Sequence, residues 1–179
     1  MVAGSAKGTR LAPVPAGTRP VSDRAREGLF SSLGGQVEGA RVLDLFAGTG
    51  AMGLEALSRG AASALFLDSA PQAVRVIRQN LQRTKLVEYA SVRRQDALRA
   101  LRQGIGSFDL VILDPPYRVP GAYLDAVLAE IAGQGAVAAG AIVVLTRSAG
   151  SYMPVIPVNW RLERRLSYGD SAVFLFQTS

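Results

Sequence analysis

From residue 41 onward, short strand-like runs alternate with longer stretches in which apolar residues return every three or four positions. The runs at 42–46, 64–67, 91–94, 110–113 and 141–145 predict strands, and the stretches at about 51–59, 71–84, 97–103 and 121–132 predict helices between them. Near-continuous apolar strands joined by helices of this length predict a parallel sheet covered on both faces. The ending departs from this pattern. Segments 160–166 and 172–176 flank Ser167-Tyr168-Gly169-Asp170, a turn signal, so the last two strands should form an antiparallel hairpin.

Upstream, residues 1–20 are rich in Gly and Pro and carry Lys7, Arg10 and Arg19, which reads as an arm or short hairpin rather than core. A helix follows, with Ser22 as N-cap, Ala25, Leu29 and Leu33 at helical spacing, and Gly34-Gly35 as its stop. At 179 residues and 49% hydrophobic content the chain fits one core. The expected organisation is one globular unit, with residues 1–35 packed as a basic arm and helix on a domain of residues 36–179. The longest apolar run, 136–145, is interrupted by Gly140, and the N-terminus lacks an apolar stretch of leader length. A cytoplasmic protein without membrane contact is expected.

Charge narrows the partners. The chain carries 18 Arg and 2 Lys against 14 acids, a formal net charge of +6, which favours a polyanion such as nucleic acid. Cysteine and histidine are both absent from the sequence. Disulfides, Cys/His zinc sites, thiol nucleophiles and imidazole bases are thereby excluded.

The segment Val42-Leu-Asp-Leu-Phe-Ala-Gly-Thr-Gly-Ala-Met-Gly53 satisfies G-x-G-x-x-G directly after the first strand. That pattern alone suggests a dinucleotide site. Asp44, four residues before Gly48, would repel a pyrophosphate and suits a cation instead. S-adenosylmethionine offers an ammonium and a sulfonium, and glycines let the backbone approach it closely. Asp68 at the end of the second strand can accept from two ribose hydroxyls, and Asp96 at the end of the third can accept from an adenine amino group. Both are equally placed to cap the helices that follow them. Phe46, Thr49, Ser69 and Ala97 flank these positions and complete the expected cofactor set.

At the fourth strand end stand Asp114-Pro115-Pro116-Tyr117. The prolines stiffen the turn and remove two N–H donors, leaving acceptors toward the cleft. Such a surface suits an exocyclic amino group, whose two N–H groups can be received by the Asp114 carboxylate and the Pro115 carbonyl. Tyr117 can stack on a base taken out of its helix or loop. Catalysis would then be largely positioning.

The pairing of DLFAGTG with DPPY resembles the class I S-adenosylmethionine-dependent methyltransferases that modify exocyclic amino groups. AGSAKGTRLAPVP, TRPVSDRAREGLFSSL, LDLFAGTGAMGLEALSRGA, LDPPY and RRLSYGDSAVFLF together resemble the RsmD-type 16S ribosomal RNA guanine-N(2) methyltransferases over nearly the whole chain. The resemblance implies a Rossmann-like fold with a mostly parallel seven-stranded sheet, helices on both faces and a C-terminal antiparallel hairpin. It implies S-adenosylmethionine as cofactor at Asp44, Gly48, Gly50, Asp68 and Asp96, catalysis at Asp114 to Tyr117, and 16S rRNA within the small ribosomal subunit as partner of a monomer. The N-terminal arginines Arg19, Arg24 and Arg26 would lie near the substrate mouth, and Arg118 where a nucleotide phosphate passes, though Arg24, Arg26 and Arg118 are equally explained as solvated surface. The chain opens almost at its Ala3-Gly4 segment, so the family's N-terminal hairpin is expected to be shortened.

Three rivals stand beside this reading. A DNA or other RNA amino-methyltransferase shares the chemistry, but a DNA enzyme would need a target-recognition domain for which the length leaves no room. A noncatalytic RNA-binding protein would not gather Asp44, Asp68 and Asp114 in a cleft facing polyanionic RNA. An NAD-dependent oxidoreductase is disfavoured by Asp44 and by the absence of His and Cys.

Overall fold

Strand β1 (Arg41–Leu45) is buried on both faces, as its unbroken Val-Leu-Asp-Leu run requires. The computed structural model of the protein describes residues 1–13, 21–133 and 135–179. In chain order, α1 (Asp23–Leu33) precedes β1, and α2 (Ala51–Ser58), β2 (Ser63–Asp68), α3 (Pro71–Thr84), β3 (Ala90–Arg94), α4 (Ala97–Arg102), β4 (Phe108–Leu113) and α5 (Gly121–Gly133) follow it. The chain closes with β5 (Val137–Ser148), β6 (Trp160–Tyr168) and β7 (Ser171–Thr178).

The seven strands form one sheet in the order β3-β2-β1-β4-β5-β7-β6. The first five are parallel, whereas β7 runs antiparallel to β5 and to β6. This is the mixed sheet expected of a Rossmann-like methyltransferase, with one added detail: the hairpin inserts β7 beside β5 and leaves β6 at the edge. Strand order reverses between β1 and β4, and such a switch point opens a crevice at the carboxyl ends of those strands.

Alternation along the strands supplies both faces of the core. Val42, Leu110 and Ile112 pack with Leu29, Phe30, Leu54 and Ile77 from the first three helices. Leu43, Val111 and Leu113 pack with Leu101, Val127, Leu128 and Ile131 from α4 and α5. Each such side chain, fully removed from water, contributes about 1.5–3 kcal/mol. Strand β5 starts four residues earlier than its apolar run suggests. It passes through Gly140 at φ 72, where pairing with β4 slips between Phe108 and Leu110.

The N-terminal helix follows its sequence signals: the Ser22 side chain accepts from the Ala25 N–H, and Leu29 and Leu33 are buried. Residues 1–13 are held by buried side chains of the helices that follow β1 and β2. The Val2 and Ala3 N–H groups each donate at 3.0 Å to the fully buried Glu55 carboxylate of α2. Ser58 donates to the Ala3 carbonyl and accepts from the Ala6 N–H. Ala12 donates at 2.7 Å to Asn80 Oδ1, and the same buried amide donates at 2.9 Å to the Thr49 carbonyl of the glycine loop. Buried polar side chains thus strap this segment to α2 and α3.

Arg26 belongs to the same strapping and corrects its expected place at an RNA surface. It is 6% exposed, donates to Asp23 at 2.6 Å and lies 3.7 Å from Glu55, because position 26 falls beside Ala25 and Leu29 on the helix face that meets α2. Arg24 is exposed, and Arg19 lies outside the described residues.

Candidate active site

The carboxyl ends of β1, β2, β3 and β4 bring four aspartates to one crevice. Asp44, Asp68, Asp96 and Asp114 line a cavity of about 180 Å³ together with Phe46, Gly48, Thr49, Ser69, Ala97, Pro115, Pro116 and Tyr117. Of the expected cofactor and catalytic residues only Gly50 stays out of the lining. It instead initiates α2 at φ 78, as Gly48 precedes it at φ 58, both in the left-handed region that favours glycine. Gly53 has a packing role: a Cβ there would sit 2.4 Å from the Phe66 ring and 3.1 Å from Asp44 Oδ2.

Asp44 is 1% exposed and accepts the Gly53 N–H at 2.9 Å. Burial pushes its carboxyl up to about 8 against that hydrogen bond, and the neighbouring Asp114 and Asp68 carboxylates raise it further. Among the described residues no arginine or lysine is ion-paired with it. The floor of the crevice therefore holds a carboxyl that rests largely protonated and that a cation seated against it would ionise.

Asp68 accepts from the Gly48 N–H and the Ala70 N–H, both at 2.9 Å, which ties the glycine loop to β2. Asp96 caps α4 through the Arg99 N–H at 2.9 Å and also accepts from the Tyr123 hydroxyl at 2.6 Å. Each carboxylate oxygen keeps a second lone pair for a ligand. Tyr123, which the sequence reading left out, lines the cavity and meets Phe46 edge to face at 6.4 Å between ring centres. Burial and the Asp96 bond push its hydroxyl up to about 12, so it remains a donor.

At the end of β4, Asp114 Oδ1 accepts from the Thr146 hydroxyl of β5. Burial raises the Asp114 carboxyl, and both the Thr146 bond and Arg147 draw it back. The Pro116 carbonyl is taken by the Val119 N–H at 3.1 Å, whereas the Pro115 carbonyl meets no donor among the described residues. Asp114 Oδ2 and Pro115 O are thus the open acceptors, and the Tyr117 ring, 52% exposed, stands beside them. Arg118 follows on the exposed loop and does not line the cavity. Thr146 and Arg147 also escaped the sequence reading, since nothing local distinguishes a Thr-Arg pair at a strand end.

Known proteins share the sequence and the fold of this chain. Ribosomal RNA small subunit methyltransferase D of Escherichia coli strain K12 is 34% identical over 179 residues, covering 99% of this chain and 88% of its own. The solved yhhF chain of Escherichia coli superimposes with a TM-score of 0.88 at 33% identity, covering 99% of this chain and 96% of that one. An RNA methyltransferase from Salinibacter ruber, solved with S-adenosyl-L-homocysteine, shares the fold at a TM-score of 0.67 and 14% identity, covering 89% and 94%. A family model described as conserved hypothetical protein 95 matches residues 1–177. The chain belongs to that family, the one that holds the RsmD-type ribosomal RNA methyltransferases.

Proposed function

We propose that the protein transfers a methyl group from S-adenosylmethionine to the exocyclic N2 amino group of one guanine in 16S ribosomal RNA, presented in the small subunit or a late precursor of it. The observation that carries this reading is the pairing, in one crevice, of a cation-seeking buried carboxyl at Asp44 with an acceptor-only turn at Asp114-Pro115. S-adenosylmethionine, when bound, supplies a methyl group on a positively charged sulfur. Asp44 and the backbone around Gly48 would hold its methionyl end, Asp68 its ribose and Asp96 its adenine. The space beside Gly48 favours this, since a Cβ there would meet only the Phe46 carbonyl at 4.0 Å.

On the substrate side, Asp114 and the Pro115 carbonyl receive the two amino N–H groups and so turn the nitrogen lone pair toward the cofactor. Strict positioning of this kind is the main catalytic resource here. A carboxyl held above its ordinary value also suits Asp114 to take the proton that the methylated amine releases. Tyr117 supplies a stacking face. The ribosomal substrate rests on the named function of the Escherichia coli relative.

The test is methyl transfer from labelled cofactor to small subunits and to naked 16S RNA, both from a strain lacking the gene, followed by mass mapping. One newly methylated guanine is expected, with subunits the better substrate. Label on another base, or none, would overturn the assignment.

A further inference from the structure

A second cavity of about 140 Å³ shares Val21, Asp114, Pro115 and Tyr117 with the cofactor crevice. Beyond those residues it is bounded by Ser22 and Ala25 at the start of α1, by Thr146 and Arg147 of β5, and by Tyr168 and Asp170 at the β6–β7 turn, Asp170 being already engaged. Arg147 is unusual for a surface-rich residue type: it is 6% exposed, and its Nε is buried without a hydrogen-bond partner. No ion pair among the described residues includes it. The Nε has no surface left for a ligand, but the rest of the guanidinium lines the cavity and no hydrogen bond or ion pair among the described residues engages it, so an acceptor seated there would meet a donor that the protein leaves unpaired.

The two ends of the cavity demand opposite chemistry. At the Asp114 end a ligand must donate, and at the Arg147 end it must accept. Arg147 and Asp114 line the same small cavity, so one small planar group seated there can meet both. Guanine has this polarity. Its N2 amino group and N1–H donate, and its O6 and N7 accept in the fork geometry that arginine matches. Adenine instead turns an amino group toward the position of O6, which would set donor against donor.

We propose that this second cavity seats the flipped target base and that Arg147 selects guanine by donating to its O6 and N7. The inference rests on the guanine-methylating reading above and adds to it the residue that discriminates between bases. It makes Arg147 a specificity residue that contacts the substrate, distinct from the cofactor set.

The experiment compares kcat/KM on small subunits reconstituted with 16S RNA carrying either guanine or 2-aminopurine at the methylated nucleotide. 2-Aminopurine keeps the reacting amino group and N7 but lacks both O6 and the N1–H, and the Arg147 variants separate the two because only the O6 contact depends on that residue. Wild type should prefer guanine by roughly 5- to 150-fold, the range of one good arginine–base pair. Arg147→Met should bring that ratio to within about threefold, chiefly by losing turnover on guanine, while S-adenosylmethionine affinity by calorimetry stays unchanged. Arg147→Lys, which keeps the charge but loses the fork, should fall between the two. A wild-type ratio retained in both variants would overturn the role of Arg147. Wild type that methylates no guanine would overturn the function itself, so the two failures are told apart.

Discussion

Binding of S-adenosylmethionine should expel a proton from Asp44. In the free protein this carboxyl is buried, flanked by Asp114 and Asp68, and pushed up to about 8. At pH 7 about nine in ten molecules therefore hold it protonated. A cation seated against it favours the ionised form, and if that returns Asp44 to the ordinary carboxylate range of about 4, close to 0.9 proton leaves per cofactor bound at pH 7. The apparent affinity should then rise about 50-fold between pH 6 and pH 8, roughly 2.3 kcal/mol. The sign for folding is the opposite. With a folded value raised above the unfolded one, the cofactor-free protein should lose stability as pH climbs from the ordinary carboxylate range through about 8. Calorimetry at pH 7 in two buffers of different ionisation enthalpy reads the proton directly. Asp44→Asn keeps the acceptor for the Gly53 N–H and should flatten the pH slope while weakening binding. Equal heats in both buffers, or an undiminished slope in the variant, would refute the argument.

Other substitutions separate the layers of the site. Asp114→Asn should leave cofactor affinity within about twofold by calorimetry and cut single-turnover methyl transfer by about 100-fold, the scale of one lost general-base or oriented contact. Glu55→Ala removes the acceptor for Val2, Ala3 and Arg59 and leaves the buried Arg26 with Asp23 as its one remaining acid, so urea denaturation should show a loss of about 3–5 kcal/mol. Gly53→Ala drives a methyl into the Phe66 ring at 2.4 Å, and a destabilisation of about 1–3 kcal/mol is expected by the same measurement, with weaker cofactor binding through displacement of Asp44.

What the sequence revealed followed from signals that are local and repetitive. The apolar runs ending in Asp44, Asp68 and Asp114 placed each acid at a strand's carboxyl end, and a parallel sheet then brings those ends to one side without further information. The SYGD segment gave the hairpin, but the insertion of β7 next to β5 depends on long-range pairing such as Leu145 with Phe174, which no local pattern encodes. Residues 1–13 read as an arm because their partners Glu55, Ser58 and Asn80 lie 50 or more positions away and look like ordinary helix residues. Arg26 was misplaced for the same reason, its burial being decided by α2. Thr146 and Arg147 became visible only when β5 was set beside Asp114.

The Asn80 amide gives the strap a consequence beyond stability. One face of it holds Ala12 and the other holds Thr49 in the glycine loop, so the positions of both segments are read through a single planar group. A polyanion drawn to Lys7 and Arg10 that shifted the N-terminal segment would reach the glycine loop through this amide. By thermodynamic reciprocity, whatever factor RNA contributes to cofactor affinity the cofactor must return to RNA affinity. The order in which the two ligands arrive would then matter for rate but not for the final occupancy, and a side chain that touches neither would set the strength of their conversation.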